Sequence, residues 1–141
     1  MKIALVPIDG SATALRALQY ALQELGQRPE ARVHLLNVQA RQIQPWPGKL
    51  VPPEMIDAEL RKEGLRVLAQ AESMAQSAGV EYTPHVSVGA AAQEIAAYAS
   101  KHECDAIVMG TRGLGAVADL VLGSVAHKLV HLASVPVVLV K

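Results

Sequence analysis

Aliphatic runs of strand length alternate with stretches of helical periodicity along the whole chain. Lys2–Ile8 (KIALVPI) is apolar after its first residue, the pattern of a strand covered on both faces. Asp9-Gly10-Ser11 ends it, and Ser11 is placed to cap the helix that follows. In that helix Leu15, Leu18, Leu22 and Leu25 recur at helical spacing, and Gly26 suits the residue just past its end. Arg32–Val38 (RVHLLNV) reads as a second strand. The QARQIQPWPGKLVPP segment, residues 39–53, holds four prolines and a glycine and reads as a long irregular connection. Whether it closes over a ligand through Trp46 or is a plain excursion stays open.

A long helix is expected from near Glu54 to Gly79, with Ile56, Leu60, Leu68, Ala71 and Ala75 on one face. Gly64 sits inside it at some cost in stability, for which close packing against a neighbour is a reason. Val80–Gly89 alternates as a strand, and Pro84 within it lacks a ladder donor, which points to a sheet edge. A helix over 90–103, a strand Asp105–Gly110, a helix over 124–133 and a last strand Pro136–Val140 complete the series. No repeat or linker divides it, so residues 1–141 read as one domain.

Such alternation predicts an α/β fold: an open, five-stranded parallel sheet with helices on both faces, joined by right-handed crossovers. Ligands of such sheets bind beyond the carboxyl ends of the strands, where the winding direction reverses. With the strand order 3-2-1-4-5 the reversal lies between the first and fourth strands. Asp9 then stands at one lip of the crevice and Gly110 at the other.

Composition narrows the function classes. Apolar residues make up 51% of the 141, almost all aliphatic, with no Phe and one Trp. That suits helix-on-sheet packing and provides no row of aromatics to stack nucleobases. Thirteen basic and thirteen acidic residues balance, so neither a nucleic acid nor an anionic membrane is an expected partner. Cys104 is the one cysteine, which excludes an internal disulfide. The N-terminal MKIALVPIDGS is too short an apolar run for a signal peptide or a membrane span, and a cytoplasmic location is expected.

The chemistry concentrates in Gly110–Ser124, GTRGLGAVADLVLGS. A Walker P-loop is excluded, because no Gly-Lys-Ser/Thr occurs in the chain. A dinucleotide fingerprint can be laid on Gly113-x-Gly115-x-x-Ala118, but no acid follows Asp119, and the match is read as chance. The remaining pattern is G-x-x-G, nine residues, then Gly-Ser: Gly110, Gly113, Gly123 and Ser124. Glycines at the first two positions let main-chain N–H groups form a concavity for an anion. Gly123-Ser124 opens the next helix, whose amino end and dipole attract phosphate. Arg112 adds a charged fork. A plain connector is the alternative to this polyphosphate loop, as are simple capping for Asp9 and a solvated charge for Arg112. His127 and His131 stand one helical turn apart, but no H-E-x-x-H motif or third ligand accompanies them, and a metal site there is not expected.

LVPIDGS, IVMGTRGLGAVADLVLGSVAHKLV and the terminal SVPVVLV together resemble the universal stress protein family over essentially the whole chain, and specifically its ATP-binding branch. The resemblance implies an adenine nucleotide alpha hydrolase-like, Rossmann-like three-layer sandwich. It implies ATP, or another adenine nucleotide, as ligand with Mg²⁺. Pro7, Ile8 and Asp9 would border the ribose and metal-phosphate region, with Asp9 nearest Mg²⁺ and Ser11 beside it. The Val38 main chain would meet the adenine edge. Met109, Gly110, Arg112, Gly113, Gly123, Ser124 and Val125 would wrap ribose and phosphates. His127 and Ser134 depart from residues common in the family at those places, outside the phosphate spacing. The last strand, 136–140, would pair with a second copy to form a homodimer, and a regulatory protein partner is expected without being specified. No catalytic residue is assigned. The function implied is a stress-response protein acting through nucleotide-dependent conformation or partner binding. A slow ATPase, a nucleotidyl-transferring enzyme and an AMP or cyclic AMP binder are the alternatives.

Overall fold

Nine elements follow one another among the described residues: β1 (Ile3–Pro7), α1 (Ala12–Leu25), β2 (Arg32–Gln39), α2 (Pro53–Ser77), β3 (Glu81–Val88), α3 (Ala91–Lys101), β4 (Ala106–Gly110), α4 (Ser124–Leu132) and β5 (Val137–Val140). The computed structural model describes residues 1–41, 51–113 and 122–141. Trp46 and most of the Pro-rich segment, together with Gly115 and Ala118 of the excluded dinucleotide match, lie outside the described residues. The strands form one sheet in the order β3-β2-β1-β4-β5, and every pairing is parallel. Both the element series and the strand order agree with the pattern of the sequence.

Side chains alternate across a strand, and here both faces of the central strands are apolar. Ala4, Val6 and Ile8 of the first strand segment turn to a core shared with Leu18 and Leu22 of α1 and Leu68 of α2. Leu5, on the opposite face, joins Leu36, Ile95, Tyr98, Ile107 and Leu129 under α3 and α4. All five residues of β4 are buried, which is why its stretch of sequence runs apolar without a break. At the edge β3 alternates exposed and half-buried positions over Glu81–His85, before the buried Val86, and Pro84 is accommodated there. Below the strands' amino ends, Asp105 Oδ2 accepts the Lys2 and Ile3 amides at 2.8 Å each. Those two bonds hold its carboxyl below the usual carboxylate value.

Local signals account for the ends of α1. The Ser11 hydroxyl accepts the Ala14 amide at 3.1 Å, and Gly26, at φ +63°, ends the helix with its N–H on the Leu22 carbonyl. The face expected for α2 needs correction at its start. Leu68, Ala71 and Ala75 are buried, but Ile56 is 39% exposed. Twenty-five helical residues extend about 37 Å, whereas the eight-residue strands beneath span about 26 Å. The first turns therefore overhang the sheet, and the packed face begins at Gly64.

Gly64 meets β2 and β3 at close range. A Cβ there would lie 2.5 Å from Val86 Cγ1 and 2.8 Å from Asn37 Oδ1. Gly64→Ala gains about 1 kcal/mol of helix propensity and incurs overpacking of about 1–3 kcal/mol. The expected net result is a lower urea midpoint for Gly64→Ala, partly recovered when Val86→Ala is added. A midpoint equal to or above that of the wild type would contradict this packing.

Candidate functional site

β1 and β4 are neighbours whose following helices lie on opposite faces of the sheet, α1 on one and α4 on the other. The chain must therefore part at their carboxyl ends, and a cleft of about 250 Å³ opens there. One wall is the β1–α1 corner: Pro7, Ile8, Asp9 and Ser11. The other is the end of β4 and the start of α4, where Met109, Gly110, Arg112, Gly113, Gly123, Ser124 and Val125 all line the space. Val38, from the end of β2, also reaches it. Residues from five separate stretches of sequence surround this cavity, and they include Asp9 and the motif positions Gly110, Gly113, Gly123 and Ser124.

The corner is built by short-range bonds. Asp9 Oδ1 accepts the Ser11 amide at 2.9 Å, and Gly10 takes φ +90°, a conformation that favours glycine. Ser11 is nearly buried and its hydroxyl already accepts from Ala14, so its side chain orders the helix as well as bordering the cleft. The other carboxylate oxygen of Asp9 faces Gly113: a Cβ at that glycine would collide with Oδ2. Asp9 and Gly113 therefore bring the two lips together across the switch point.

Each motif glycine makes room for a particular neighbour. At Gly110 an added Cβ would stand 2.5 Å from Thr13 Cγ2, so this glycine admits α1 against β4. At Gly123 the obstacle would be the Thr111 carbonyl oxygen, at 3.2 Å. The Gly123 amide donates to that same oxygen at 2.6 Å, and the Thr111 amide donates to Val140 O at 2.9 Å. This corrects one part of the expectation: the Gly123 N–H is not aimed at a ligand but closes the loop's two ends on each other. Gly123 is the N-cap of α4, and the first intrahelical bond runs from the His127 amide to Gly123 O at 2.9 Å. The amides of Ser124, Val125 and Ala126 thus precede the helical ladder, beside the cleft that these residues line. With the exposed Arg112 at the rim, this lip carries positive character suited to an anion.

Several lining residues carry no motif: Ala14, Leu36, Ala91, Ile95, Thr111 and Ala126. Ala91 and Ile95 belong to α3, which starts just past the carboxyl end of β3. The rule that places ligands at strand carboxyl ends could have pointed to them, since α3 begins at that end of the sheet, as α1 and α4 do. Leu36 and Ile95 make the inner part apolar, as a flat heterocycle requires.

Other candidate groups lie elsewhere. His127 and His131 contact each other edge to face, with ring centroids 5.3 Å apart. Among the described residues no three His, Cys, Asp or Glu side chains converge as a metal set. The buried Cys104 has its thiol pushed up to about 11 by burial and by the Asp105 charge, so it packs as a neutral side chain. Beneath α3, His34 Nδ1 and the Tyr98 hydroxyl are 2.8 Å apart, and Tyr98 stacks on His102 at 4.0 Å. Burial, then the charge of His102, hold His34 and His85 below the usual histidine value. These ring contacts anchor α3 on β2 and β3. Among the described residues no helix is long and apolar enough to cross a membrane.

The family model described as the universal stress protein family matches residues 1–141. The chain is 34% identical over 145 residues to the universal stress protein YxiE of Bacillus subtilis, covering 97% of each. A solved structure from the same family in Burkholderia pseudomallei is 31% identical, with a TM-score of 0.73 over 98% of this chain and 94% of that one. Another, the universal stress protein from Archaeoglobus fulgidus in complex with dAMP, is 25% identical, with a TM-score of 0.67 over 100% and 98%. Sequence, strand order and whole-length similarity agree: this chain belongs to the universal stress protein family.

Proposed function

We propose that this chain is a single-domain, cytoplasmic ATP-binding protein, which acts in stress response through the conformation or partner choice that bound nucleotide imposes. The observation that carries this reading is the convergence of Pro7–Asp9, Val38, Met109–Gly113 and Gly123–Val125 on one cleft at the switch point. The relative described in complex with dAMP supports an adenine nucleotide as the ligand. In this reading the base enters the apolar inner part near Val38 and the ribose lies against Pro7, Ile8 and Met109. The phosphates meet the amino end of α4 and Arg112.

Mg²⁺ is proposed beside Asp9. The fit rests on the donor chemistry: the Asp9 carboxylate at the lip, facing Gly113, matches an ion that takes one or two carboxylates plus substrate phosphates. Asp9 would hold the ion, which supplies charge neutralisation for the phosphate tail. Rapid hydrolysis also needs a group that orients water and groups that stabilise transition-state charge. Asp9, the acidic side chain among the described residues lining the cleft, is already assigned to the metal. Binding with slow or no turnover is the reading we favour.

Calorimetry with ATP, ADP, AMP and cyclic AMP, each with and without Mg²⁺, tests the assignment. Gly113→Val forces a side chain into Asp9 and is expected to weaken ATP at least tenfold, about 1.4 kcal/mol. Asp9→Asn keeps an oxygen acceptor for the Ser11 amide and is expected to abolish the Mg²⁺-dependent part of the affinity. Unchanged ATP binding by folded Gly113→Val would remove the loop from the site. Equal affinity for AMP and ATP would make the monophosphate the ligand.

We also propose a homodimer through β5. This strand ends the sheet, and Leu139 on it is 38% exposed, as are Val130 and Leu132 of α4 at 43% and 48%. Pro136 O and Val140 O both bond towards β4, so the alternate residues Val137 and Leu139 turn their main-chain groups outward. Leu139→Pro removes an outward N–H without touching the β4 ladder. Sedimentation is expected to give a dimer for the wild type and a monomer for this variant, and a wild-type monomer at micromolar concentration would contradict the proposal.

A further inference from the structure

The rung where β1 separates from β2 is irregular. The two strands are in register from Ile3 opposite Arg32 to Pro7 opposite Leu36. One bond continues past the strand: the Ile8 amide donates to Leu36 O at 2.8 Å. In a regular parallel ladder the next bond would run from the Val38 amide to Ile8 O. Ile8 O instead accepts the Asn37 side chain, Nδ2 to O at 2.8 Å, and the main-chain bonds found among the described residues do not include one from Val38 to Ile8. Since a carbonyl can only accept, this bond settles which end of the carboxamide is the nitrogen. Asn37 Oδ1 accepts Gln39 Nε2 at 2.8 Å. Asn37 is 3% exposed, and a buried carboxamide with both ends bonded has little freedom to turn.

The alternation of β2 gives this substitution a consequence. Leu36 O bonds towards β1, and Gln39 O bonds towards β3 by accepting the Gly89 amide at 2.9 Å. Val38, two residues after Leu36, therefore turns its N–H and C=O to the side of β1, just past the last rung. Val38 lines the cleft at that point. A donor and an acceptor on one residue match adenine, which sets the N1 acceptor beside the N6 amino donor. Guanine presents O6 and N1–H there in the opposite order. With the sugar held at Ile8 and Met109, guanine would oppose donor to donor and acceptor to acceptor, and desolvated mismatches of that kind discriminate strongly.

We propose that Asn37 is a positioning residue: by occupying the Ile8 carbonyl it keeps the Val38 main-chain pair open to the cleft, where that pair selects adenine over guanine. This rests on the nucleotide reading above. Without the carboxamide, Ile8 O is available to the Val38 amide, the ladder closes by one more rung, and the donor is withdrawn from the base.

The test combines amide hydrogen exchange on the nucleotide-free protein with ATP and GTP titrations of wild type, Asn37→Ala and Asn37→Asp. The aspartate keeps the size of the side chain but its carboxylate cannot donate, so it serves if the alanine variant folds poorly. The expected result is a Val38 amide that exchanges freely in the wild type and at least tenfold more slowly in Asn37→Ala. The ATP-to-GTP affinity ratio is expected to fall at least tenfold in both variants, a change that mere loss of stability would not produce. A Val38 amide already protected in the wild type, or an unchanged ratio in folded variants, would overturn the proposal. Wild-type protein that binds neither nucleotide would overturn the nucleotide reading, and the selectivity with it. The exchange data would then still decide separately whether Asn37 controls the Val38 amide.

Discussion

The right-handed crossover rule, applied to a sheet ordered β3-β2-β1-β4-β5, sends the chain from β1 to one face and from β4 to the other. Two adjacent strands then end side by side with nothing continuing between them. The cleft is a consequence of that divergence, and so is its chemistry. Both α1 and α4 begin at its walls, so helix amino ends and their unpaired amides gather at one place without any side chain having to supply charge. The cores on the two faces make the arrangement rigid, since Ala4, Val6 and Ile8 pack one way and Leu5 and Leu36 the other.

Within that frame the glycines serve as space more than as flexibility. Gly110 admits Thr13, Gly113 admits Asp9, and Gly64 admits Val86 and Asn37. Asn37 therefore lies between two close approaches: α2 against its oxygen and the β1 corner on its nitrogen. A glycine in the middle of a helix and a polar residue in the middle of a strand look like separate local costs. In the folded chain they form one contact, which sets the corner that borders the cleft.

Much of this was legible in the sequence, for physical reasons that can be named. Doubly covered strands must be apolar without interruption, so KIALVPI and DAIVMG announced themselves. Ser11 and Gly26 are capping residues, and both cap. The glycine spacing carried the loop because close approach leaves a mark on composition. What stayed hidden depends on distance between elements. Ile56 fits the helical period of α2, yet the helix overhangs the sheet there, and no local pattern records the length of the strand beneath. Ala91 and Ile95 are ordinary apolar residues until α3 is set beside β2. The Gly123 amide was expected to face a ligand, but its partner, Thr111 O, lies twelve residues earlier and becomes adjacent only when the loop closes. Asn37 could have been noticed as a lone amide in RVHLLNV, though its partner could not.

The central claim is that the main-chain amides at the start of α4, opposite Asp9, receive a phosphate tail. Chemical-shift mapping of ¹⁵N-labelled protein during addition of Mg²⁺-ATP tests it directly. The account predicts large shifts for the amides of Gly113, Ser124, Val125 and Ala126, with Thr111 and Gly123 moving less because their N–H groups are already bonded inside the protein. Saturating nucleotide that left the α4 amides unmoved, or that shifted residues remote from the switch point instead, would contradict it.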